Sequence, residues 1–201
     1  MKRMTCLLLL SLLLPGCTSR QFSNTPRAAL EQLLLSGAVD KALAKFTLPE
    51  TSGKKVFIDF TELQAYDVNY IKVATRARFA EMGAVLIGAA DQADLIAEVA
   101  SGGLGTEYKN SVVGIPSLPV PNAPIALPEA PLLRTTEQTG IFKLLIFVHA
   151  DGRYVASGHY YGKYDRDERF ILWWRFQRQD DVRTGWEQAD AEVDLQASRS
   201  P

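Results

Sequence analysis

The sequence predicts an α/β (α+β) domain: one mixed β-sheet holding a βαβ unit, with two helices on one face, followed by antiparallel strands. Three observations predict it. A helical apolar period opens the globular part of the chain. A strand–helix–strand succession fills residues 56–88. Four β-rich runs with no helix between them occupy the second half.

Asn24-Thr25-Pro26 sets a capping side chain ahead of a first-turn proline, which predicts a helix start. Leu35, Val39, Ala42, Leu43 and Phe46 then fall at i, i+4, i+7, i+8 and i+11, one face turned to a core. Leu48-Pro49 ends that helix and Ser52-Gly53 turns the chain. Val56 to Phe60 is a strand by its β-branched and aromatic content. Asn69 caps a second helix in which Tyr70, Val73, Ala74, Ala77 and Ala80 share a face, and Gly83 stops it. Ala84 to Gly88 is a second apolar strand, and a unit of this length makes the two strands parallel. Ala90 to Ala93 is a turn, and Leu95 to Ala100 is a third strand.

From residue 101 the character changes. Ser101-Gly102-Gly103-Leu104-Gly105 reads as a loop, and Glu107 to Gly114 as another strand. Six prolines between Pro116 and Pro131 each remove a backbone donor, so 116–131 reads as an extended Pro-rich loop. Ile141 to Val148 and Tyr154 to Tyr161 are strands joined by a two-residue Asp151-Gly152 turn. Paired residues then sum to 303, which sets His149 opposite Tyr154 and His159 opposite Leu144. The two histidines fall on opposite faces, roughly 17 Å apart. Tyr164 to Arg169 is a charged link, and Phe170 to Phe176 is a last strand carrying Trp173 and Trp174 on opposite faces. Residues 179–201 turn polar and acidic and are expected to be disordered.

The first seventeen residues carry the strongest signal. Lys2 and Arg3 precede an apolar run from Cys6 to Leu14, which ends in Leu14-Pro15-Gly16-Cys17. The run is too short for the roughly 20 residues of a spanning helix. It reads as a lipoprotein signal over 1–16, cleaved before Cys17, whose sulfur is then acylated. Residues 17–25 become a lipidated tether and 26–178 a single globular domain. Thr18 is not the aspartate that holds enterobacterial lipoproteins in the inner membrane. That resemblance implies the outer membrane, periplasmic face.

The chain has 201 residues and a net charge of −1, which becomes −3 once Lys2 and Arg3 are lost with the leader. A nucleic-acid binder needs a basic excess, so that class is excluded. Cys6 leaves with the leader and Cys17 is consumed, so no thiol remains for a disulfide or a cysteine metal site. No metal or cofactor is implied. The partners read from the sequence are the membrane, through Cys17, and an envelope protein.

No catalytic constellation emerges. The glycines at 102, 103 and 105 lack the third glycine of a dinucleotide cradle, since residue 108 is Tyr. Gly-x-Ser-x-Gly is absent, and Ser157 and His159 sit in one strand beside Gly158 without a nucleophile–base arrangement. Asp59 and Glu62 stand at the carboxyl end of a parallel strand, where α/β sheets bind ligands, which gives an envelope hydrolase as an alternative. The reading preferred is non-enzymatic. Tyr160, Tyr161, Tyr164, Trp173 and Trp174 crowd with Arg153, Lys163, Arg166, Arg169, Arg175 and Arg178 in the last third. Tyr161, Trp173 and Trp174, with Ile125 and Leu127 of the Pro-rich loop, are the expected contact residues for a partner or a membrane interface.

Several segments carry a resemblance. They are Ser23-Asn24-Thr25-Pro26-Arg27-Ala28-Ala29 through Glu31-Gln32-Leu33-Leu34-Leu35-Ser36, Ala93-Asp94-Leu95-Ile96-Ala97-Glu98-Val99, Leu104-Gly105-Thr106, Val113-Gly114-Ile115-Pro116-Ser117 and Trp173-Trp174. Together they resemble an uncharacterised family of bacterial lipoproteins with no assigned activity. More distantly, the element order after the lipidation signal is similar to curli-secretion-channel and flagellar-accessory outer-membrane lipoproteins. That likeness implies an oligomeric secretion or assembly component.

Overall fold

The structure is a computed structural model that describes residues 28–115, 118–119, 126–128, 130–172, 174–185 and 187–188. Helix α1 (Ala29–Leu43) leads into β1 (Lys55–Asp59), α2 (Val68–Glu81) and β2 (Val85–Ile87). Then come β3 (Leu95–Ile115), the short β4 (Leu118–Pro119) and β5 (Ala126–Leu127), β6 (Ala130–Ala150), β7 (Arg153–Ile171) and β8 (Trp174–Asp180). Residues 181–185 form a last helical turn, α3.

Six strands make one sheet in the order β2-β1-β3-β6-β7-β8. The β1–β2 and β1–β3 pairs are parallel and the remaining pairs antiparallel, so the sheet is mixed as expected. Both long helices lie on one face. The expected stripe of α1 is the one buried: Leu35, Val39, Ala42, Leu43 and Phe46 all meet the core. Opposite them stand Val56 of β1, Leu95, Ala97 and Val99 of β3, and Phe142, Leu144, Ile146 and Val148 of β6.

The helix–sheet contact is made through glycine. A Cβ at Gly140 would overlap the carbonyl oxygen of Leu34, and one at Gly162 that of Ala38. At Gly37 it would lie 2.7 Å from the ring of Tyr164. Gly140 and Gly162 therefore let α1 rest directly on the backbones of β6 and β7, and Gly37 lets it close on the Tyr164 ring.

Several elements differ from the sequence expectation. The helix begins at Ala29, after Ala28 in extended conformation, so its start lies three residues past Pro26; residues 24–27 fall outside the described ones. In α2 the buried stripe is Ile71, Thr75 and Phe79, not the Tyr70–Val73 face. The long side chains of Ile71 and Phe79 set the docking edge, and Tyr70 and Val73 are left exposed. Gly83 does stop this helix, with φ +84.

The glycine segment 101–105 is not a loop. β3 runs through it, with a bulge between Ser101 and Gly103. The extra residue inverts the alternation: Leu95, Ala97 and Val99 face the helices before it, and Leu104 faces them after it. The Pro-rich segment is also shorter than expected. β3 and β6 pair out to Ile115 and Ala130, and Leu118 and Pro119 pair with Leu127 and Ala126. Pro131 is tolerated in β6 because it lies beyond the last β7 partner, Leu133, where β6 has become an edge.

The Asp151-Gly152 turn is present, with φ of 46° and 72°. His149 pairs with Tyr154 as expected, but a bulge between Val148 and His149 shifts the rest by one. His159 therefore faces Leu145, not Leu144, and shares a face with His149. The charged run 164–169 is part of β7. The chain turns at Leu172, so β8 is a separate strand antiparallel to β7 rather than a continuation of 170. Order also continues past 179, since Val182 of α3 is buried.

Candidate functional site: the uncovered end of the sheet

β3 and β6 each have 21 residues. At about 3.3 Å per residue such strands run roughly 65–70 Å, far past the helices that cover one end. Among the described residues of β3, every position from Gly105 to Ile115 is exposed, as are the first six residues of β8.

The register assembles this free end. Val113 pairs with Leu133, Leu133 with Ile171, and Ile171 with Trp174. Four apolar side chains from four strands form one row across the sheet. Val113 is 62% and Trp174 64% exposed. The next row on the same face ends in Arg169 and Phe176, and the opposite face carries Val112, Arg134, Phe170 and Arg175. Ile115 and Leu118 extend the apolar surface toward the β3–β6 connection.

The expected contact residues do not gather in one place. Trp174 belongs to the free end. Tyr161 is also exposed, at 53%, but ten residues back along β7, roughly 33 Å away by strand rise. It pairs there with Lys143, whose Nζ lies 5.5 Å from its ring centroid. Leu127 lies in β5, opposite Leu118. Cys17, Ile125 and Trp173 lie outside the described residues. Tyr160 and Tyr164 leave the aromatic cluster altogether. The Tyr160 ring meets Phe46 edge-on at 5.4 Å, and the Tyr164 hydroxyl donates to the Asp181 carbonyl at 2.7 Å. Alternation within β7 turns both toward the helices while Tyr161 points away. Val113, Leu133, Ile171 and Phe176 were missed as site residues because the prolines hid the strand ends that bring them together.

The sheet-edge carboxylates are differently placed. Asp59 accepts hydrogen bonds from the Thr61 amide at 2.8 Å and the Thr61 hydroxyl at 2.6 Å. These bonds hold its carboxyl below the ordinary range, which suits a turn-forming carboxylate rather than a proton donor. Glu62 is exposed beside it. His149 Nε2 lies 3.2 Å from Glu98 on the helix-free face. Among the described residues no three His, Cys, Asp or Glu side chains group as metal ligands.

A cleft of about 510 Å³ lies between the start of α1 and the start of α2, lined by Gln32, Leu33, Ser36, Tyr66, Asn69 and Tyr70. The Tyr70 hydroxyl donates to Asp40 at 2.8 Å. Burial and that hydrogen bond push Tyr70 well above its ordinary value, so it stays a neutral donor.

Among the described residues no helix is long and apolar enough to cross a membrane. No curated protein matches this chain. A family does: the match covers residues 11–173, starting inside the leading apolar run. The chain belongs to the family of unknown function DUF6655.

Proposed function

We propose that this protein is a lipid-anchored component of the outer membrane facing the periplasm, a non-enzymatic binding or envelope-assembly module. The observation that carries the reading is the leader: Lys2 and Arg3, a nine-residue apolar run, and Leu14-Pro15-Gly16-Cys17. The family match takes in Cys17. The free end of the sheet, with its exposed Trp174 row, supplies a contact surface of the kind such a module needs.

Labelled palmitate tests the anchor. The wild-type chain is expected to take up the label and fractionate with the outer membrane, and Cys17→Ala to lose both. Outer-membrane retention of an unlabelled Cys17→Ala chain overturns the reading. An oligomeric assembly component is the second reading, favoured by the long β3–β6 ladder that extends past the helices. A purely monomeric mass in detergent counts against it.

A further inference from the structure

The free end of the sheet and the start of the described chain lie at the same end of the molecule. Helix α1 runs along β6 and β7 with Leu34 over Gly140 and Ala38 over Gly162, so its N-terminus points toward the Val113–Trp174 row. Ala28 and Glu31 line a groove with Tyr108 and Gln138, five residues from Leu133. Ten residues lie between Cys17 and Ala28, so the eleven steps of chain reach at most roughly 40 Å. The step from Gln138 to Leu133 is only about 17 Å. An acyl chain on Cys17 therefore lets the bilayer that holds it meet the free end.

That end is chemically unlike the rest of the chain. Residues 110–136 and 168–178 contain four arginines and two glutamates, an excess of positive charge in a protein of net charge −1. Arg169, Arg175 and Arg178 are exposed and form no ion pair among the described residues. Arg169 and Arg175 project from opposite faces and flank the apolar row. Tryptophan and aliphatic side chains flanked by arginine suit a headgroup interface. The apolar groups enter the acyl boundary, and the guanidinium groups reach phosphate.

We propose that the free end of the sheet, centred on Val113, Leu133, Ile171 and Trp174, is a second membrane contact that engages anionic phospholipid. The proposal rests on the lipid-anchor reading for which bilayer is met. The contact holds the sheet end-on to the membrane and leaves the helix-covered end directed away from it.

The test uses the full chain carrying Trp173→Phe and Trp186→Phe, so that Trp174 is the sole tryptophan. It is reconstituted into phosphatidylcholine vesicles with brominated acyl chains, with and without phosphatidylglycerol. Trp174 emission is expected to shift to the blue and to lose most of its intensity when phosphatidylglycerol is present. Adding Arg169→Gln and Arg175→Gln is expected to shift the contact equilibrium roughly thirtyfold toward the unbound state. Solvent-like, unquenched Trp174 emission in both vesicle types overturns the proposal. So does a cross-link at residue 174 between two copies in place of quenching. Acylation is read separately from the mass of the purified chain. A chain without lipid refutes the anchor, and Trp174 still reports the sheet end.

Discussion

Gly162 of β7 lies directly beneath the carbonyl oxygen of Ala38 in α1, with no room for a Cβ between them. The helix rests on the strand backbone at this point, and Gly140 repeats the arrangement under Leu34. Gly162→Ala must lift α1 off β7. The expected cost is about 1–3 kcal/mol, as for other overpacked sites. At Gly105 nothing lies within 4 Å of an added Cβ, so Gly105→Ala is expected to change stability by no more than about 0.5 kcal/mol. Urea unfolding of the two variants checks the contrast, and equal stabilities would contradict the contact.

Asp181 ties the last helical turn to the sheet. Its carboxylate accepts from Lys41 Nζ at 2.7 Å and from the Asp165 amide at 2.9 Å. Burial alone pushes its pKa up, but these bonds outweigh burial and hold the carboxyl below its ordinary value. A carboxyl whose folded pKa is depressed adds stability above its unfolded pKa, about 3.9, and loses it as pH falls through the lower folded value. Asp181→Asn is therefore expected to cost about 1 kcal/mol at neutral pH, kept small because Lys41 is partly solvated. The difference from wild type is expected to close below about pH 4. Chemical unfolding at a series of pH values reads it; a gap that persists in acid would assign the effect to packing.

The mixed sheet, the βαβ unit and the α1 stripe were legible because each rests on local periodicity. Leu35, Val39 and Ala42 recur at helical spacing, and Asp151-Gly152 is a turn wherever it occurs between strands. The free end was not legible. Gly102 and Pro131 look like breakers in isolation, and only pairing with a neighbouring strand turns one into a bulge and the other into an edge residue. The one-residue shift at Val148 likewise has no signature in the residues themselves, yet it moves His159 to the other face.

The bulge at Gly102 makes a sharp prediction. It is the residue that lets β3 present Val99 and then Leu104 to the same core. Deleting Gly102 removes only the extra residue: Ser101 opposite Leu144 and Gly103 opposite Lys143 become consecutive, the ladder becomes regular and Leu104 still faces the helices. One residue inserted between Gly103 and Leu104 instead turns Leu104 away, which forfeits about 1.5–3 kcal/mol of leucine burial. Gly102→Ala keeps the bulge, and its Cβ meets only the flexible Lys143 side chain at 2.8 Å, so a small effect is expected. Hydrogen exchange along 103–110 distinguishes the variants. Protection kept in the deletion and in Gly102→Ala and lost in the insertion is the expected pattern, and protection lost in the deletion would remove Gly102's role as the extra residue that the pairing absorbs.

Leu172 sets stability against contact at the free end. It turns β7 into β8 with φ +54, a conformation that costs an L-residue roughly 1–2 kcal/mol. Its amide donates to the Leu132 carbonyl at 2.8 Å, which holds the turn over the end of β6. Its side chain is 40% exposed beside the Ile171–Trp174 pair, so burial recovers only part of the strain. Leu172→Gly removes the strain and loses little packing, but it enlarges the freedom of the unfolded chain. The net gain expected is about 0.5–1 kcal/mol. If the apolar end meets the bilayer, the same substitution removes one of its side chains and weakens bromolipid quenching of Trp174. Unfolding midpoint and quenching are then expected to move in opposite directions. A variant that gains stability and keeps full quenching would make Leu172 a strained turn residue with no part in the contact.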